Sequence, residues 1–112
     1  MWHIKNLEVL NPHHALKEIC YEVMNRFGIC VITSAYRPGD DGVHGTTPLR
    51  GMDFRCKDAV IGHHVADYIN MRWVYDEKRP EKVCAMYHGG EGNWHLHFQS
   101  HPNTEKVYRD KW

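Results

Sequence analysis

Between residues 94 and 99 the chain reads Trp94-His95-Leu96-His97-Phe98-Gln99, a strict alternation of apolar and polar side chains. As a β-strand this stretch turns Trp94, Leu96 and Phe98 to one face and His95, His97 and Gln99 to the other. The first face demands a core to cover it. The second sets two imidazoles about 6.6 Å apart along a rigid element, a placement that suits a metal site better than a loop does. A half-exposed strand that merely carries two histidines would show the same pattern, so the rest of the chain has to decide between the two.

Histidine is the outlier of the composition, with 10 in 112 residues, and imidazole is the commonest metal ligand. The length predicts one domain, 1–112, large enough for a core without disulfides or a structural metal. Lys and Arg number 14 and Asp and Glu number 14, a formal balance of zero. Neither nucleic acid nor an anionic membrane is therefore expected as a partner, and a monomer is expected. Cys20, Cys30, Cys56 and Cys84 are dispersed, with no C-x-x-C pair, and three of them lie in apolar runs where a thiol acts as a small hydrophobe. The N-terminus shows no signal peptide and no apolar run approaches ~20 residues. The expectation is a soluble protein, cytoplasmic as made, with reduced thiols.

Asn11-Pro12 reads as a helix start, Asn as cap and Pro at the first helical position. Leu16, Ile19, Cys20, Val23, Met24 and Phe27 follow at helical spacing and Gly28 ends the run, predicting a helix over 12–27 with His13 and His14 at its surface. Residues 29–33 form a β-branched apolar run, a buried strand, and lead into a loop that carries Arg37. Residues 51–55 read as a second strand, with Met52 and Phe54 on one face and Asp53 on the other. Asp58 caps a predicted second helix over 58–73, with Val60, Ile61, Val65, Tyr68, Ile69 and Trp73 on its buried side and His63 and His64 at the surface. Residues 83–87 form a strand and 88–93 a turn that closes a hairpin onto 94–99. The tail from Ser100 is polar, with Val107, Tyr108 and Trp112 available to dock. Together these elements predict an α+β fold, a small and mostly antiparallel sheet with helices on one face. The other face would then expose Asp53, His95 and His97.

Arg37, His44, Asp53, His95 and His97 all fall at or near strand ends. Two histidines and one carboxylate make an open zinc site whose fourth position is left for water, although such a set also accepts Mn²⁺, Fe²⁺, Co²⁺ or Ni²⁺. Composition and spacing reach only as far as a metal hydrolase. The order of three segments goes further. Ser34-Ala35-Tyr36-Arg37-Pro38, then His44 with Gly51-Met52-Asp53, then His95-Leu96-His97, resembles the LAS-type zinc peptidases. These include D-Ala-D-Ala carboxypeptidases, L-Ala-D-Glu endopeptidases of phage endolysins, and the related fold of the Hedgehog signalling domain.

The resemblance spans about residues 29–99 and implies a Hedgehog/DD-peptidase-like fold. It implies His44, Asp53 and His97 as zinc ligands, Arg37 as the cation that engages a substrate carboxylate or carbonyl oxygen, and His95 as general base or donor to the tetrahedral intermediate. His44 and Asp53 stand nine apart, two more than the family's usual spacing, and Trp94 occupies the place three before His97 where many members carry the acidic base. His95 or Glu91 is left for that role. The function implied is a zinc-dependent metallopeptidase cutting peptide bonds of peptidoglycan stem peptides. It would be a cell-wall hydrolase of the kind phages encode, acting on the wall after release. The alternative is a metal-binding module of the same fold, without peptidase activity and with a structural or interaction role.

Overall fold

The computed structural model describes residues 11–29, 31–34, 42–46, 48–89 and 93–107, with the backbone alone at Ser34 and His44, and the backbone of Trp2–His3. Its elements run β1 (Trp2–His3), α1 (His14–Phe27), β2 (Val31–Ser34), a 3-10 turn (Val43–Gly45), β3 (Gly51–Arg55), α2 (Ala59–Arg72), β4 (Trp73–Val74), β5 (Ala85–His88), β6 (His95–Gln99) and β7 (Glu105–Lys106). Five strands form an antiparallel sheet in the order β1-β2-β3-β6-β5, and β4 pairs with β7 in a separate ribbon. The expected α+β class, two helices and a small antiparallel sheet, is what the chain forms.

The centre of the sheet is the pair β3–β6, in register Met52↔Phe98, Asp53↔His97, Phe54↔Leu96 and Arg55↔His95. Met52, Phe54, Leu96 and Phe98 are fully buried, Phe54 meeting Phe98 edge-on at 5.5 Å. Leu16, Ile19, Cys20 and Val23 of α1 and Val65, Ala66 and Ile69 of α2 close the same core. Each Val, Leu, Ile, Met or Phe among them, taken from water to full burial, contributes about 1.5–3 kcal/mol before the cost of ordering it.

Helix α1 stops where expected. Gly28 adopts φ 72 and its N–H reaches the Met24 carbonyl at 3.0 Å, a left-handed cap that glycine takes without strain. Its start differs from the sequence reading. Asn11 does not cap; it has φ 49, and Pro12 sits in a parallel bridge with Leu49, flanked by Leu49 N–H to the Asn11 carbonyl and His13 N–H to the Leu49 carbonyl. Pairing with a distant segment satisfies these backbone groups and outweighs the local capping preference. His13, expected at the surface, is buried and its Nδ1 lies 2.8 Å from the Ser100 hydroxyl; His14 is exposed as expected.

Asp58 caps α2 as the sequence indicates, accepting from the Val60 and Ile61 N–H groups. Val60 and Ile61 themselves are exposed, against expectation, because the inward stripe runs through Gly62, Val65, Ala66 and Ile69. Gly62 sets that stripe. A Cβ there would stand 2.3 Å from the Tyr87 ring, which packs against the helix at this point, stacks on Trp94 and donates to the Cys56 carbonyl. Trp94 is accordingly 41% exposed, covering Tyr87 rather than entering the core.

The polar tail is tied down more firmly than its sequence suggests. Lys106 and Arg72 both pair with Glu22 of α1, at 2.6 and 3.1 Å, and Trp73 Nε1 donates to the same carboxylate. Burial raises the Glu22 pKa, but the bonds from Arg72, Lys106 and Trp73 outweigh it and hold the carboxyl below its usual range. Tyr108 and Trp112 lie outside the described residues.

Two outcomes follow for stability. Burial first, then the charges of His14, Arg50 and His101, lower the pKa of His13 from 6.5. The unfolded chain therefore binds the proton more readily, so stability is complete above about pH 6.5 and falls as pH drops below it. Denaturant midpoints measured from pH 8 to 5 will show this fall, and His13→Gln will flatten it. Gly62→Ala is expected to cost about 1–3 kcal/mol, since Tyr87 is held on two sides and has nowhere to move; an unchanged urea midpoint would count against that packing.

Candidate functional site

The open face of the sheet carries a grid set by strand register. Asp53 on β3 stands opposite His97 on β6, which stands opposite Met86 on β5; one step along, Arg55, His95 and His88 form a second row. Thr33 lies beside them at a bulge, since β2 advances from Ile32 to Ser34 while β3 moves from Phe54 to Asp53. A bulge bends the strand and re-aims its side chain. The resulting cavity of about 520 Å³ is lined by Thr33, Asp53, Met86, His88, Asn93, His95 and His97. A second cavity of about 510 Å³, between the 76–78 turn and residues 102–105, has no imidazole in its wall.

Hydrogen bonds assign the nitrogens of the two β6 histidines. Gln99 donates its Nε2 to the Val83 carbonyl at 2.8 Å, which leaves its Oε1 as acceptor for His97 Nε2 at 3.1 Å. Both nitrogens of His97 thus face acceptors, Nε2 the Gln99 amide oxygen and Nδ1 the Asp53 Oδ1, 2.7 Å away. On His95, Nδ1 lies 3.2 Å from the Asn93 carbonyl, which can only accept, so Nδ1 is the donor. The lone pair of neutral His95 then sits on Nε2, 4.0 Å from Asp53 Oδ2. His97 is 8% exposed, so its geometry is set by these partners rather than by water.

Sequence reasoning placed His88 in a turn. The structure puts it at the end of β5 with its ring 4.4 Å from that of His95 and 6.1 Å from that of His97. Partial burial, followed by the charges of His95 and His97, lowers its pKa, with Asp53 pulling the other way. A neutral imidazole at pH 7 is the consequence. Gln99 was also missed as a functional group. Its place on the His95–His97 face was legible, but its partner Val83 was not.

Of the expected zinc ligands, Asp53 and His97 are brought together. The turn carrying His44 docks at the head of β3: Val43 lies so close to Gly51 that a Cβ there would be 2.3 Å from Val43 Cγ2, and Arg50 N–H reaches the Val43 carbonyl. Thr46 closes the intervening loop, donating to the Val43 carbonyl and accepting from Arg50 N–H. The longer His44–Asp53 spacing is thus taken up by a loop anchored at both ends and bridged to Pro12. The His44 side chain, Arg37 and Glu91 lie outside the described residues.

Among the described residues no group of three or more His, Cys, Asp or Glu side chains is gathered tightly enough to hold a metal ion. The donor chemistry of the pair present does fit one. Asp53 Oδ1 and His97 Nδ1 are adjacent, and a carboxylate and an imidazole are two of the donors that an open zinc site uses. No protein-family profile, curated protein or solved structure was found to match this chain.

Gln99→Leu removes the acceptor that orients His97. If Nδ1 is the metal-facing nitrogen, zinc affinity measured against a competing chelator will fall about 10–100-fold. Unchanged affinity would show that His97 is held by other means.

Proposed function

We propose that this protein is a zinc-dependent peptidase acting on peptidoglycan stem peptides, with a fold akin to the Hedgehog and DD-peptidase domains. The observation that carries the reading is the pairing of Asp53 with His97 across β3 and β6, with His95 beside them on the same open face. The motif order that resembles the LAS-type peptidases supplies the substrate class.

His44, Asp53 and His97 would hold the metal. Zinc bound by such a set supplies a Lewis acid for a carbonyl and lowers the pKa of water to about 7. The chain's own groups do the rest. His95 Nε2 carries a lone pair into the cavity and takes the proton from the attacking water, then returns one to the leaving amine. Its Nδ1 bond to Asn93 keeps that nitrogen turned inward. Arg37 engages the developing oxyanion or a terminal carboxylate of the stem. His88, kept neutral next to His95, adds no positive charge that would hinder proton uptake there. The protein needs no membrane for this chemistry, and among the described residues no helix is long and apolar enough to cross one.

A non-catalytic metal-binding module is the second reading. It is favoured by the side chain three before His97, which is the half-exposed indole of Trp94 rather than a carboxylate.

The two readings separate in one set of measurements. Zinc content is determined for the wild type, His97→Ala and His95→Ala, alongside release of amino groups from purified muropeptides. About one zinc per chain is expected in the wild type, none in His97→Ala, and zinc without cleavage in His95→Ala. Zinc in the wild type with no cleavage of any muropeptide establishes the second reading. Loss of metal from both variants would show that the roles of the two histidines are misassigned.

A further inference from the structure

The cavity over Asp53 and His97 does not end at His95. It continues into a trough of about 320 Å³ bordered by Thr33, Arg55, Lys57, Asn93, Trp94 and His95, three of which also line the main cavity. The wall beyond His95 is cationic. Arg55 follows Asp53 by two positions on β3, so it lies on the same face about 7 Å further along, directly opposite His95. Lys57 follows at the strand end. Both side chains are exposed, and neither forms an ion pair among the described residues.

Asp53 is the one carboxylate among the side chains described for the two cavities, and it faces His97. Two cations that form no ion pair among the described residues, at the end of a confined trough, make a local positive field in a chain whose formal charge is zero. Such a field serves a single anionic group rather than a polyanion, because a nucleic acid needs a stripe of many phosphate contacts. A guanidinium and an ammonium in the wall of one trough favour a carboxylate, the first through paired N–H donors and the second as a point charge.

We propose that Arg55 and Lys57 form an anion subsite that selects a peptide bearing a side-chain or α-carboxylate about one residue from the bond placed over Asp53 and His97. The identity of the occupant as a peptide rests on the peptidase reading; the charge preference rests on the trough itself.

The test uses the zinc-loaded full chain and two blocked tripeptides that differ only in Glu or Gln at the central position. Binding is followed by NMR titration at low salt, with cleavage read separately. The Glu peptide is expected to bind roughly tenfold more tightly, the scale of one charge-assisted hydrogen-bonded contact. Arg55→Ala with Lys57→Ala removes that preference, and Arg55→Glu with Lys57→Glu transfers it to a peptide with central Lys. Both positions are exposed, so the variants keep the fold, which circular dichroism checks. Equal affinity for the two peptides, no binding of either, or a preference that survives the double alanine variant overturns the subsite. A Glu preference without cleavage leaves the subsite standing and removes the peptidase. Cleavage with no preference does the reverse.

Discussion

The register between β3 and β6 is the constraint on which the rest of this molecule depends. Because side chains alternate along a strand, one pairing places Met52, Phe54, Leu96 and Phe98 against the helices and Asp53, Arg55, His95 and His97 on the opposite face. A slip of one residue would exchange the two sets, driving a carboxylate and two imidazoles into the core. Desolvating those groups without partners would cost several kcal/mol each. The apolar packing that stabilises the domain and the polar cluster that could act on a substrate are thus two consequences of one alignment.

That alignment is supported from both sides. On the helix face, Gly62 lets the Tyr87 ring settle on α2, and Tyr87 in turn carries Trp94 and reaches the Cys56 carbonyl. This joins the close of β3 and the entry to β6, which lie side by side at one end of the site, to one helix. On the far side of the core, Glu22 gathers Arg72, Trp73 and Lys106, so the last described strand is fastened to both helices. The charged strap matters less for its ion pairs as such than for the hydrogen bonds that leave no buried charge unpartnered.

On the open face the histidines differ because their partners differ. His97 lies between Asp53 and Gln99, with an acceptor at each ring nitrogen. His95 is fixed through a main-chain carbonyl and keeps its Nε2 toward the cavity. The His88 pKa is lowered by partial burial and then by the charges of His95 and His97. His13, far from this site in sequence and bonded to Ser100, is buried for packing. Four imidazoles of the same chemistry are thereby given four different surroundings.

Much of this was legible in the sequence wherever short-range physics governs. The period of 3.6 that ends at Gly28, the Asp58 cap, and the alternations at 51–55 and 95–99 are local properties, and they also led to Asp53, His95 and His97 as groups on one face, although His97 is buried there rather than exposed. What escaped was what distant segments decide. Asn11-Pro12 has the chemistry of a helix cap, yet Leu49 claims its backbone; Val60 and Ile61 are apolar, yet Tyr87 selects the stripe through Gly62. His88 was indistinguishable from a turn residue until β5 aligned with β6, and neither the Val83 carbonyl behind Gln99 nor the place of Arg55 beside His95 has a sequence signature. Periodicity and caps arise from interactions a few residues long, so the chain by itself determined its elements and the faces they present. Register and cross-strand neighbours arise from contacts between residues tens of positions apart, so only the tertiary structure decided which polar groups meet and which atoms they offer.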